Sequence, residues 1–206
     1  MRTQTLTLMA FGLSMVGIAI GPVSGKCRKP AWSGPTPPVV SVCDALLNRA
    51  KYQGQMVSIR GLVVGTMEGA WLVGEDCGPF VAKGYPWSAI IWLESGSSGY
   101  REERLPFAYD YAAAARVEKQ VRKLTHGQRS VPLIVTYAGL FESLSDLGEP
   151  VTVYPNGYIR ALGFGHDGVA PAQLLVKTMA DPEIGSPKHP LPPPLGMWIK
   201  PEPPKP

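Results

Sequence analysis

The sequence predicts a mainly β domain with some α: a small closed barrel with a helix between strands three and four and a short N-terminal helix. Three observations carry this prediction. Runs rich in β-branched and aromatic residues recur at strand length between glycine-rich breaks. One longer stretch has helical spacing, and both ends of the chain hold too many prolines to join a sheet.

Residues 41–50 begin with Ser41 as a cap and continue with good helix formers, which predicts the short helix. From Gln55 the period changes. Met56, Ile59, Leu62, Val63 and Val64 lie in a β-rich run broken by Gly61 and Gly65, a long strand that bends or bulges at a glycine. Residues 70–73 form a second strand and residues 74–79 a turn. Residues 88–93 are apolar almost throughout, which implies a third strand buried on both faces or at the barrel centre. Residues 109–125 make the clearest helix, with Tyr111, Ala114, Val117, Val121 and Leu124 at helical spacing. Residues 131–141 are a fourth strand, with Pro132 near its start, where a missing donor is tolerated. Residues 151–154 and 158–162 read as a hairpin around Pro155-Asn156-Gly157, and residues 172–179 as the last strand.

The first residues follow the order an export signal needs: Arg2, an apolar middle over residues 6–20, then the small-residue exit Gly21-Pro22-Val23-Ser24-Gly25. A spanning helix requires about 20 apolar residues. This run is shorter and contains Gly12, Ser14 and Gly17, so residues 1–25 read as a signal peptide. Lipidation at Cys27 is disfavoured because Lys26 stands where a small residue is wanted. Residues 26–38 form a Pro-rich arm, residues 39–181 the domain, and residues 182–206 a Pro-rich disordered tail that serves as a spacer or as a ligand for an aromatic groove.

The 206 residues carry 20 Lys and Arg against 16 Asp and Glu, a formal charge of +4. That excess is small, and its clusters (residues 26–29 and 116–123) suit a solvated segment and a helix face, so no nucleic acid partner is expected. Three cysteines in an exported chain permit a disulfide. Cys43 opens the first helix and Cys77 sits in the turn after two strands, which pairs Cys43 with Cys77 and leaves Cys27 over. No transmembrane segment is expected once the signal is removed.

The order of helix, long bent strand, short strand, strand, helix, strand, strand is that of an OB-fold, a five-stranded Greek-key barrel. Residues 51–61, Lys-Tyr-Gln-Gly-Gln-Met-Val-Ser-Ile-Arg-Gly, resemble the opening of OB-fold-like domains in exported bacterial proteins. Residues 163–174 are similar to the approach to the last strand in uncharacterised exported proteins of that kind. The resemblance implies a fold and an exported location, periplasmic or extracellular, and supplies no catalytic residues to carry over.

OB-fold binding depends on exposed aromatic and basic residues on the second and third strands. Trp71, Trp87 and Trp92 fall on or near those strands, with core packing the expectation for two of the three. Nucleophile elbows, phosphate loops, metalloprotease helices and zinc-type cysteine pairs are missing from the sequence, so no catalytic residue, cofactor or metal is assigned. His126 falls at a helix end, where a cation complements the dipole. His166-Asp167 lies in a Gly163-x-Gly165-x-x-Gly168 loop. That spacing matches a dinucleotide fingerprint, but a strand rather than a helix follows, which excludes the nucleotide reading. The sequence therefore points to an exported, non-enzymatic OB-fold-like binding or structural module, with Trp71, Trp87, Trp92, His166 and Asp167 as ligand-binding candidates. The alternative is an envelope hydrolase using His166.

Overall fold

Gly61 shows how the barrel closes. It lies in β2 (Met56–Thr66), which pairs antiparallel with β7 (Leu133–Ser143) through residues 56–63 and with β3 (Gly69–Val73) through residues 62–66. The strand thus passes from one neighbour to the other over Leu62 and Val63, just beyond this glycine. A Cβ there would stand 2.6 Å from Val42 Cγ2, so the bend also admits α1 (Val42–Leu47). The computed structural model describes residues 36–66, 69–75, 77, 80–95, 105, 107–128, 131–148, 151–153, 155–156, 159–165 and 168–186. Residues 1–35, which include the expected signal peptide, most of the Pro-rich arm and Cys27, and residues 187–206 of the tail lie outside them.

From β3 the sheet continues to β6 (Ile90–Ser95), then β10 (Ala172–Ile184), then β7, and β7 returns to β2. The result is a closed five-stranded barrel in which only the β6–β10 pair is parallel. Counted along the chain, the strand order is 1-2-3-5-4-1. The helix α3 (Tyr111–Thr125) falls between strands three and four, and the fold is the expected OB-fold-like barrel.

Val57, Ile59, Leu72, Ile91, Leu93, Phe141, Leu174 and Val176 fill the interior. Val42, Ala45 and Leu46 of α1 cap it, together with Phe80, Trp87 and Leu147. The near-continuous apolar run of β6 has its reason here: Ile91 and Leu93 point inward, while Ile90 and Trp92 join a second cluster outside the barrel. Gly139 of β7 makes the tightest strand approach, since a Cβ there would collide with the Leu175 carbonyl oxygen on β10.

Several elements differ from the sequence expectation. The N-terminal helix divides at Asn48 into α1 and α2 (Arg49–Tyr52), because Asn48 leaves helical geometry and its Nδ2 donates to the Asp44 carbonyl. Ser41 caps α1 by accepting from the Asp44 N–H, as expected. β1 (Val39–Ser41) adds to the edge of β2 in parallel. Residues 80–87 form a hairpin, β4 (Phe80–Ala82) and β5 (Tyr85–Trp87), whose turn residues Lys83 and Gly84 both have positive φ.

α3 buries Ala113, Val117 and Thr125, leaving Tyr111 and Leu124 exposed, so its contact face is rotated from the expected one. The small residues of that face let the helix lie close to β10, where the Asp110 N–H donates to the Lys177 carbonyl. Asp110 caps the helix by accepting from the Ala113 N–H, and His126 terminates it in a left-handed conformation. β10 runs to Ile184, past residue 181 where the domain was expected to end. A register shift between Ala180 and Glu183, with Asp181 at φ 50°, carries Pro182 through the ladder without requiring its missing N–H. The expected hairpin is β8 (Val151–Val153) and β9 (Ile159–Ala161). Cys43 and Cys77 form the expected disulfide, with Cα atoms 5.2 Å apart.

Candidate ligand-binding face

Barrel closure fixes a row of cross-strand partners. Val64 faces Trp71, Trp71 faces Trp92, Trp92 faces Gln173, and Gln173 faces Glu142. Side chains alternate along a strand, so this row stands on the outer surface, opposite the interior set of Leu72, Ile91 and Leu174. Trp71 and Trp92 stack with ring centroids 6.2 Å apart and planes 18° from parallel. The Trp92 Nε1–H donates to Glu94 Oε2 at 3.3 Å, and the Gln173 Nε2–H donates to Glu142 Oε2 at 2.5 Å. One aromatic pair, one amide and two carboxylates therefore meet across β3, β6, β10 and β7.

The chain roofs part of this face itself. The loop over residues 163–170 is pinched shut by Gly163 donating to the Gly168 carbonyl and by a bridge between Phe164 and Ala170. Phe164, Val169 and Ala170 then pack on Trp71, Trp92, Leu62 and Ile90. Gly165, at φ 86°, comes so close that a Cβ would stand 2.6 Å from Trp92 Cε3. Gly69 approaches the far edge of the same ring, where a Cβ would overlap Cη2. Trp71 is left 3% exposed, while Trp92 stays partly accessible. The Trp71 Nε1–H has no hydrogen-bond partner among the described residues. A second cover, Leu105 and Phe107, lies over Leu140 and Leu175. Glu94 and Glu142 are half-buried on this outer face, and Gln173 is 4% exposed.

The candidates from the sequence separate accordingly. Trp71 and Trp92 come together on one face. Trp87 does not join them: it is 3% exposed in the interior cluster, and its Nε1–H donates to the Gly148 carbonyl at 2.9 Å. His166 and Asp167 lie outside the described residues, although the glycines flanking them are described. Glu94, Glu142 and Gln173 were not singled out from sequence. Glu94 had a signal, being two residues after Trp92 in a strand and so on its face. Gln173 and Glu142 had none, because their pairing depends on register between strands 31 residues apart.

The perturbed titrating groups lie elsewhere, where α3 meets the barrel. Burial, with Tyr109 nearby, pushes the Tyr137 hydroxyl up to about 12. Tyr109 is raised by burial and then by Tyr111 and Asp110, and Lys177 is lowered by desolvation. Burial is the first cause for these three, which describes packing, while Arg122 on the exposed side of α3 is raised by its hydrogen bond to Glu118. No three His, Cys, Asp or Glu side chains among the described residues are arranged to hold a metal ion, and no described helix is long and apolar enough to cross a membrane.

The fold and this face define an OB-fold-like barrel with a partly self-covered aromatic face. Comparisons with protein families, with curated proteins and with solved structures find no match to this chain.

Proposed function

We propose that this chain is an exported, non-enzymatic binding module that takes an uncharged, hydroxyl-rich ligand such as an oligosaccharide at the Trp92 face. The observation that carries the reading is the partly exposed Trp92, its ring backed by Trp71, with the half-buried carboxylates Glu94 and Glu142 beside it on the face OB-folds use. An indole offers an apolar surface to the C–H side of a sugar ring, and carboxylates accept hydrogen bonds from its hydroxyls. The same carboxylates repel a phosphate backbone, which counts against a nucleic acid partner at this face. Export is supported by the N-terminal charge and apolar pattern and by the Cys43–Cys77 pair, which suits an oxidising compartment.

The test is titration of the full chain with cellohexaose, maltohexaose and chitohexaose, with single-stranded oligothymidylate as the polyanionic control, following tryptophan emission. At least one neutral oligosaccharide is expected to bind saturably, and Trp92→Ala to abolish that binding. Oligothymidylate binding with no saccharide binding would reject the ligand class. Hydrolysis of any of these saccharides that is lost in His166→Ala would replace the binding reading with the enzymatic one.

A further inference from the structure

A second site stands apart from the Trp92 face, where α1 and α2 meet the end of β7. A groove of about 610 Å³ is lined there by Leu47, Asn48, Arg49, Lys51, Leu144 and Ser145, among others. Its frame is stitched by Gln53, whose Oε1 accepts from the Ser143 N–H at 2.7 Å and from Ser143 Oγ at 2.8 Å. Two cations sit on its wall. The Arg49 guanidinium carbon is 5.6 Å from the Phe80 ring centroid, and Lys51 Nζ is 5.0 Å from that of Tyr52. Each cation thus lies near an aromatic ring, a contact worth about 0.5–1 kcal/mol at an exposed site.

Neither has a carboxylate partner among the described residues. The ion pairs there are Arg60–Glu183, Lys83–Asp146 and Arg122–Glu118. Of the acids nearby in sequence, Asp146 pairs with Lys83 and Asp44 accepts from the Ser41 hydroxyl. Two positive groups biased toward rings lose somewhat less conformational freedom on meeting an anion than free side chains would. The groove is also too large for a bare ion: a water occupies roughly 30 Å³, and an inorganic phosphate only a few times that. Part of the remaining lining is apolar: Leu144 and Leu47, the latter 63% exposed.

We propose that this groove binds a small amphiphilic anion, its phosphate or carboxylate head drawn by the Arg49 and Lys51 charges that line it and its apolar part against Leu47 and Leu144. Ser145 completes the donor set at the head. The site does not depend on the reading of the Trp92 face and can be tested separately from it.

The experiment is a two-dimensional amide NMR titration of the full chain with hexyl phosphate, inorganic phosphate and hexyl glucoside. Hexyl phosphate is expected to shift the Asn48, Lys51 and Ser145 amides saturably. Inorganic phosphate should bind about tenfold more weakly for want of the apolar contact, and hexyl glucoside should leave these amides in place. The double variant Arg49→Gln, Lys51→Gln removes two exposed or part-exposed side chains and should keep a dispersed spectrum while weakening hexyl phosphate at least about tenfold. Leu47→Ser should erase the preference over inorganic phosphate. The proposal is overturned if hexyl phosphate gives no saturable shift at these amides at millimolar concentration. It is equally overturned if the double variant binds as the parent does, or if hexyl glucoside matches hexyl phosphate.

Discussion

Replacing both bridged cysteines, Cys43→Ala with Cys77→Ala, opens a loop whose ends are 34 residues apart in sequence. Loop-closure entropy for that length is about 12.6 cal/mol/K, or about 3.8 kcal/mol at 25 °C. The packing around the bridge adds to the consequence. Gly74 lies so close that a Cβ would be 2.6 Å from Cys77 Sγ and 3.1 Å from Cys43 Sγ, and Cys43 belongs to α1, which caps the interior through Val42, Ala45 and Leu46. Freed from residue 77, α1 retains its apolar contacts but loses its tether to the turn after β3. Against a net stability of about 5–15 kcal/mol, the change is large. It corresponds to a fall in Tm of about 8–15 °C for a domain of this size. Urea unfolding of the parent and the double variant measures it, and the variant should also show a steeper denaturant slope because its unfolded chain expands further. A loss below about 1 kcal/mol with an unchanged slope would refute the reasoning.

Other consequences follow from single residues. Tyr137 has a folded pKa of about 12 against 10.0 for the free side chain. Its neutral form therefore stabilises the fold fully below about pH 10, and that contribution, on the order of 2–3 kcal/mol, is lost as the pH rises from about 10 through about 12. Urea midpoints across that window should fall less steeply in Tyr137→Phe, and an unchanged slope would count against the burial of the hydroxyl. Gly165→Val puts a side chain into the Trp92 ring at a positive φ. It should cost about 1–3 kcal/mol and shift tryptophan emission to longer wavelength as the loop lifts, whereas unchanged emission would mean that the loop does not cover the ring. Gly139→Ala drives a Cβ into the Leu175 backbone. A loss above about 3 kcal/mol, read as a collapsed amide NMR spectrum, is expected because the backbone cannot yield as a flexible side chain would.

The features that were legible in the sequence share a cause: they depend on local pattern. The glycine-broken run at Met56 to Val64, the doubly buried run around Ile91 and the alanine-rich helix each carry their own periodicity, and their order along the chain was enough to give the barrel. The hairpin of β4 and β5 escaped notice because Lys83-Gly84 takes two positive φ values without the Asn-Gly that usually announces such a turn. The extension of β10 escaped because Pro182 reads as a stop, and only a bulge at Asp181 carries the strand past it. The candidate face was half legible. Trp71 and Trp92 could be placed on adjacent strands, but their stacking, the exclusion of Trp87 and the arrival of Gln173 and Glu142 follow from register set by closure of β7 on β2. Nothing local in residues 163–168 signalled that Gly165 fits against an indole; that requires knowing which ring lies beneath it.

The claim at the centre of the account is that a ligand meets the protein at Trp92. An amide and indole NMR titration of the full chain with whichever of the three hexasaccharides binds most tightly tests it most directly. The account predicts saturable shifts of the Trp92 Nε1–H and of the Gly165 and Gln173 amides, with the Trp87 Nε1–H, bonded to Gly148 in the interior, left unmoved. Saturable binding that leaves Trp92 and Gly165 unshifted, or the failure of all three saccharides to bind, would contradict it.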